Sequence, residues 1–217
     1  MKLRVFPGFP KPYILLLPLV GMGLFVVLYI LAAINYPGGS WNFTDHAGFS
    51  LRYNYLCDLL DDYAINGEVN SARFFARSAL GILCISIILI WFYLPKLFTV
   101  KSINLTVMRW SGLLGLIITL FLASGTHDMI VRVVGIFGVI ALITSFVELY
   151  KANMDKILIL GIFCFIIFSI NYYIYETGSY IEILPVIQKI TFICFIVWFI
   201  LLDISIYRKI KSQLLKK

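Results

Sequence analysis

YILLLPLVGMGLFVVLYILAAINY, residues 13–36, runs its whole length without a charged side chain. A bilayer core about 30 Å thick needs ~20 apolar residues to be crossed by a helix. This stretch meets that length, and it ends without the small-residue pattern at which a signal peptide is cut. It therefore reads as a first membrane span. The remainder of the chain has the same character. Its 217 residues are 61% hydrophobic and only 13% charged, with a mean hydropathy of +0.96, whereas a soluble domain carries ~25% charged residues. No polar segment is long enough to bury a core of its own, which excludes a separate soluble domain.

Working outward, five more segments reach spanning length, so that the six lie at about 13–35, 77–95, 107–124, 129–149, 157–175 and 183–206. The expected fold is an all-α integral membrane protein, a six-transmembrane-helix bundle forming one membrane domain over 1–217. Charge sets the expected orientation. With the N and C termini in the cytoplasm, thirteen of the eighteen Lys and Arg residues fall inside and eight of the eleven Asp and Glu residues fall outside, in accord with the positive-inside rule. The net charge of +7 then reads as anchoring against anionic lipid at the cell membrane's cytoplasmic face, not as nucleic-acid binding. Cys57, Cys84, Cys164 and Cys194 form neither a C-x-x-C pair nor a zinc-knuckle spacing, so no disulfide framework is expected. Gly135, Gly138 and Ala141 in the fourth span read as a close helix-packing face.

One connection is long, the extracytoplasmic loop 36–76, which opens on the turn signal YPGGS. Within it, FSLRYNYLCDLLDDY places Phe49, Tyr53, Leu56, Leu60 and Tyr63 at alternating spacings of four and three. Such a stripe predicts an amphipathic surface helix over 49–63, with Asn54, Asp58, Asp61 and Asp62 on its other face.

The polar residues that demand a reason converge on the same side. His46 and His127, the two histidines of the chain, both fall there. Asp128 stands at the mouth of the fourth span and Arg132 one turn further in. Lys189, preceded by Gln188, lies two turns into the sixth span, roughly 9 Å below its start. Ionisable groups at that depth usually face a bundle interior or a wet cavity. A pocket open to the extracytoplasmic side follows. Arg132, Lys189, Gln188 and Asn54 are its candidate ligand-binding residues, and His127, Asp128 and Asp58 its candidate catalytic ones. Imidazole can ligate metal or carry protons near neutral pH, so His46, His127 and Asp58 are the candidate metal set, with zinc as the implied ion.

YPGGS, NYLCDL and NSARFFARSALGILCISIILIWF together resemble the prokaryotic membrane proteins of domain-of-unknown-function family 998. That family carries N-x-L-S-D-L-G in its outer loop, then N-x-x-S and a phenylalanine entering the second span. The resemblance covers roughly the first 95 residues. Cys57 stands where the family prefers serine, and Leu60 departs from its glycine region. The family is similar in layout to six-span DRAM/Frag/Sfk-type proteins, so the resemblance implies a six-span fold and a link to lipids but no reaction; outside the zinc alternative no cofactor is expected. A second likeness is to the alkaline ceramidases and adiponectin receptors, which have seven spans and a zinc held by several histidines. Two histidines cannot make a three-histidine site, but a mixed set of His46, His127 and a carboxylate remains open.

Three functions compete. The first is binding or handling of a membrane lipid through its head group. The second is a membrane-embedded hydrolase or transferase, metal-dependent or not, using His127 and nearby carboxylates. The third is a small-solute transporter, against which no pair of spans is broken by Gly or Pro in matching halves. No G-x-S-x-G elbow and no phosphate-binding glycine loop is present.

Overall fold

The computed structural model describes residues 12–121 and 127–215, apart from the side chains of residues 12, 127 and 128. Among them are six α-helices: α1 (Leu17–Ile34), α2 (Arg73–Tyr93), α3 (Ile103–Thr119), α4 (His127–Lys151), α5 (Asp155–Thr177) and α6 (Leu184–Leu215). Short 3-10 turns precede α1 (Pro12–Leu16), follow α2 (Leu94–Leu97) and lead into α6 (Ile181–Ile183). Five of the helices are long and apolar enough to cross a membrane, and α3 is shorter.

Local chemistry explains where the helix bounds depart from the hydropathy windows. α3 starts at Ile103 because Ser102 caps it, its Oγ accepting the Leu105 N–H at 3.3 Å; such a cap satisfies an amide with no helical partner. α6 continues past the apolar window to Leu215, because Arg208, Lys209, Lys211 and their neighbours are good helix formers and no Gly or Pro interrupts them.

The helices pack most closely in sequential pairs, α1 with α2, α3 with α4 and α5 with α6, and α6 also touches α1, α2 and the Leu94–Leu97 turn. Aromatic side chains fill the centre. Trp198 is fully buried and donates its indole N–H to the Ile157 carbonyl at 2.9 Å, with Phe146, Phe195 and Phe199 around it. Gly161 makes this approach of α5 to α6 feasible, since a Cβ there would sit 2.7 Å from both the Phe146 ring and the indole nitrogen. The proposed small-residue face of α4 needs correction. Ala141 is buried, but a Cβ on Gly135 or Gly138 would meet nothing. The α3–α4 contact passes close to Gly138 through its backbone, since a Cβ on Gly115 would lie 3.4 Å from Phe137 and 3.9 Å from the Gly138 nitrogen.

A polar clamp ties the start of α3 to the end of α4. Glu148, 4% exposed, accepts hydrogen bonds from Ser102 Oγ (3.2 Å), Asn104 Nδ2 (2.9 Å) and Lys151 Nζ (3.0 Å). The end of α1, the start of α2 and the start of α6 meet at the opposite end, under residues 35–72, here called the cap. The head of α4 reaches the same end, because Arg132 pairs with Glu176 near the end of α5.

The surface helix expected over 49–63 is not formed. The segment is a turn at 51–53 and a three-residue 3-10 helix, Cys57–Leu59. The expected faces hold only in part: Leu60 is buried and Asp61 and Asp62 are exposed, but Asn54 and Asp58 are buried at 0% and 5% exposure while Tyr63 stands 66% exposed. Asn and Asp side chains compete for nearby backbone groups and so favour turns over helix. Here that competition prevails over the apolar stripe.

Candidate functional site

The cap begins at Tyr36–Ser40. Gly39 adopts φ +82°, and a side chain there would strike the backbone of Asn66 and Ile65; only glycine takes that conformation without strain. Isolated bridges pair Gly38 with Ala47 and Tyr63 with Val69. The cap has no other sheet structure, so its remaining buried backbone groups are met by turn hydrogen bonds and by side chains.

Asn54 is one such partner. Its Oδ1 accepts the Ser50 N–H at 2.9 Å, and its Nδ2 donates to the Gly39 carbonyl at 2.7 Å and to Asp58 Oδ2 at 2.9 Å. The same Asp58 oxygen accepts the Tyr55 N–H at 2.9 Å. Burial pushes the Asp58 carboxyl up to about 6, against the pull of the Asn54 and Tyr55 donors and of the Lys189 charge. Burial likewise pushes the Cys57 thiol up to about 12, with the Asp58 charge adding to the effect. Cys57 is therefore a thiol at neutral pH and a poor nucleophile.

The helices grip this loop by its peptide groups. Lys189 Nζ donates to the Asn54 carbonyl at 2.6 Å and to the Pro185 carbonyl at 2.8 Å, and lies 5.6 Å from the centre of the Phe49 ring. Gln188 Oε1 accepts the Leu56 N–H at 2.8 Å while Tyr29 donates its hydroxyl to the Leu56 carbonyl at 2.7 Å. The two peptide groups that flank Leu56 are thus held, one from α6 and the other from α1. α2 holds the second half of the cap. Arg77 donates to the Leu60 carbonyl and pairs with Asp62, and Arg73 donates to the Asn70 carbonyl. Asn70 Nδ2 bridges the Asp58 and Asp61 carbonyls.

Four of the residues singled out in the sequence, Asn54, Asp58, Gln188 and Lys189, are therefore gathered into one buried network. Arg132 is not part of it. Lys189 spends its amine on the cap and on its own helix, whereas Arg132 makes a two-point contact with Glu176 at 3.0 and 3.2 Å. The expected cavity shared by Arg132 and Lys189 gives way to two separate polar contacts. His46 lies at the cap edge, its backbone carbonyl accepting the Gly39 N–H and its Nδ1 buried with no partner among the described residues. Among the described residues no three His, Cys, Asp or Glu side chains gather as metal ligands. The side chains of His127 and Asp128, called as catalytic or metal-binding, lie outside the described residues.

Sequence reading missed Tyr29, Asn70, Arg73 and Arg77 as cap anchors. The i, i+4 spacing of Arg73 and Arg77, at a helix start facing the acids Asp61 and Asp62, was an available signal.

The cap and the head of α6 enclose a groove of about 200 Å³, lined by Arg52, Tyr53, Glu182, Ile183, Val186 and Ile187. Arg52 and Tyr53 come from the cap, and the guanidinium lies 5.3 Å from the Tyr53 ring centre. Below the groove, Ile183, Val186, Ile190, Ile193, Val197 and Leu201 are all exposed. At spacings of three and four they form one continuous apolar stripe along α6.

No protein-family model, no curated protein and no solved structure matches the chain.

Proposed function

We propose that the chain is a six-span protein of the cell membrane, with both termini cytoplasmic, and that its extracytoplasmic cap binds the head group of a membrane lipid. The observation that carries this reading is the continuity of the groove with the α6 stripe. A charged and aromatic rim sits directly above an apolar track. A lipid needs that order of surfaces: polar contacts at the head and an apolar wall along the chains. The buried network beneath the rim gives Arg52 and Tyr53 a fixed seat, which reduces the ordering cost of binding. The bias of basic residues supports the orientation. The proposal also takes in kinship with family 998, whose N-x-L-x-D-L pattern falls on Asn54 and Asp58.

The test is lipid retention. Full-length protein purified in mild detergent is to be delipidated, exposed to mixed phospholipid and weighed by native mass spectrometry. The parent is expected to hold a phospholipid, and Val186→Trp, which fills the groove, is expected to lose it. Equal retention by both would overturn the reading. Orientation is tested in a cysteine-free background. Trp41→Cys and Tyr180→Cys should react with an impermeant thiol reagent on intact cells, and Val100→Cys and Asn153→Cys should not.

A further inference from the structure

The groove joins a cation to an anion that do not neutralise each other. Arg52 stands on the cap wall and Glu182 on the facing wall, at the turn into α6. Both are exposed. Among the described residues neither makes an ion pair: Arg52 has the Tyr53 ring beside its guanidinium, and the ion pairs at this end of the molecule belong to Arg73, Arg77 and Arg132. The neighbouring acids are already engaged. Asp62 pairs with Arg77, Glu176 with Arg132, and Asp58 is enclosed in the cap. Opposite charges held apart across one groove, over an apolar floor of Ile183, Val186 and Ile187, fit a ligand that itself carries both signs.

We propose that the groove selects a zwitterionic phospholipid whose head group carries a primary ammonium. Arg52 takes the phosphate, because a guanidinium fork matches its oxygens. Glu182 takes the ammonium, and the Tyr53 ring lines the cap wall beside Arg52. The acyl chains follow the stripe from Ile183 to Leu201, whose length of roughly 27 Å at helical rise accommodates a full chain. An anionic lipid without the ammonium would bring its phosphate to Arg52 but leave Glu182 facing a neutral or negative group. That mismatch is a device of specificity, in which the wrong partner meets an unpaired charge. The assignment rests on the lipid-binding reading above and names the lipid class for that same groove.

The experiment uses the delipidated full-length protein mixed with equal amounts of phosphatidylethanolamine and phosphatidylglycerol of matched chains. The bound lipid is then identified by mass spectrometry. The parent is expected to favour phosphatidylethanolamine about tenfold, the ratio one charge-assisted contact supplies. Glu182→Gln should lower bound phosphatidylethanolamine about tenfold and leave phosphatidylglycerol near the parent's level, so that the ratio falls to about one, and Arg52→Ala should lower both lipids about tenfold. Glu182→Lys guards against a variant that is merely damaged, since it should reverse the preference toward phosphatidylglycerol. If the parent retains phospholipid and Val186→Trp does not, yet the two head groups bind equally, the class assignment is wrong and lipid binding stands. If Glu182→Lys leaves the preference unchanged, the assignment is likewise wrong. If the parent retains neither lipid, the lipid-binding reading itself is wrong.

Discussion

Two buried carboxylates hold the two ends of this bundle together in different ways. Glu148 joins α3 to α4 with a cation, Lys151, among its donors, and that lysine reaches solvent with its side chain 56% exposed. Asp58 sits in a loop, not on a long helix, and its close donors are an amide side chain and a backbone N–H. The clamp makes fast two helices that would pack anyway. The cap network instead replaces secondary structure, because residues 50–60 lack a ladder and depend on Asn54, Asp58, Gln188 and Lys189 for partners. Removing a partner should therefore cost more in the cap than in the clamp.

The largest effect is expected at Asn54. Asn54→Ala leaves the Ser50 N–H and the Gly39 carbonyl without a partner and takes one of two donors from Asp58, and buried orphans cost about 1–3 kcal/mol each. A loss of more than about 3 kcal/mol in detergent unfolding is expected. A loss near that of an ordinary surface substitution would break the contrast between the ends.

Asp58 sharpens it through pH. Its carboxyl is held near about 6, above the ordinary value of ~3.9. Between those values the folded chain keeps a proton that the unfolded chain has lost. Stability from this group is thus full below about pH 4 and is lost as pH rises toward 6. Both hydrogen bonds land on one oxygen, Oδ2, which an asparagine carbonyl can replace. Asp58→Asn should gain on the parent by up to about 3 kcal/mol between pH 4 and 6.5 and hold a constant lead above that. Melting curves across that range check it, and a lead that shrinks with rising pH would contradict the sign.

At the clamp, Glu148→Ala should cost about 2 kcal/mol, because Ser102, Asn104 and Lys151 can turn to water or to other groups. Lys151→Ala should cost about 1 kcal/mol, because it takes one donor from a buried carboxylate that keeps Ser102 and Asn104. A third carboxylate gives a shift of the opposite sign. Asp203 on α6 is 1% exposed, with its Oδ2 lacking a partner among the described residues. Asp203→Asn should raise stability by about 1 kcal/mol in the same unfolding assay.

The helices were legible in the sequence because an apolar run of spanning length has few other readings. The cap was not legible, and Asn54 shows why. A 3.6-residue period reports which residues share a helical face, but it carries no record of a side chain that prefers the backbone of a turn. Nor does spacing reveal that Gln188 and Lys189 meet a loop more than 130 positions earlier. The depth of Lys189 did signal a polar surrounding, and that surrounding is the Asn54 carbonyl of the loop and the Pro185 carbonyl of its own helix. Arg132 carried the same signal, and Glu176 on α5 answers it.

Hydrogen exchange at the cap amides tests the account most directly. The N–H groups of Ser50, Tyr55, Leu56 and Ala72 all donate to side chains: Asn54, Asp58, Gln188 and Asn70. If the cap is held as described, these amides exchange as slowly as those in the middle of α2, and Gln188→Ala speeds Leu56 far more than Ala72. Exchange at the rate of an open loop at all four positions in the parent would contradict it, and would leave Arg52 and Tyr53 without a seat.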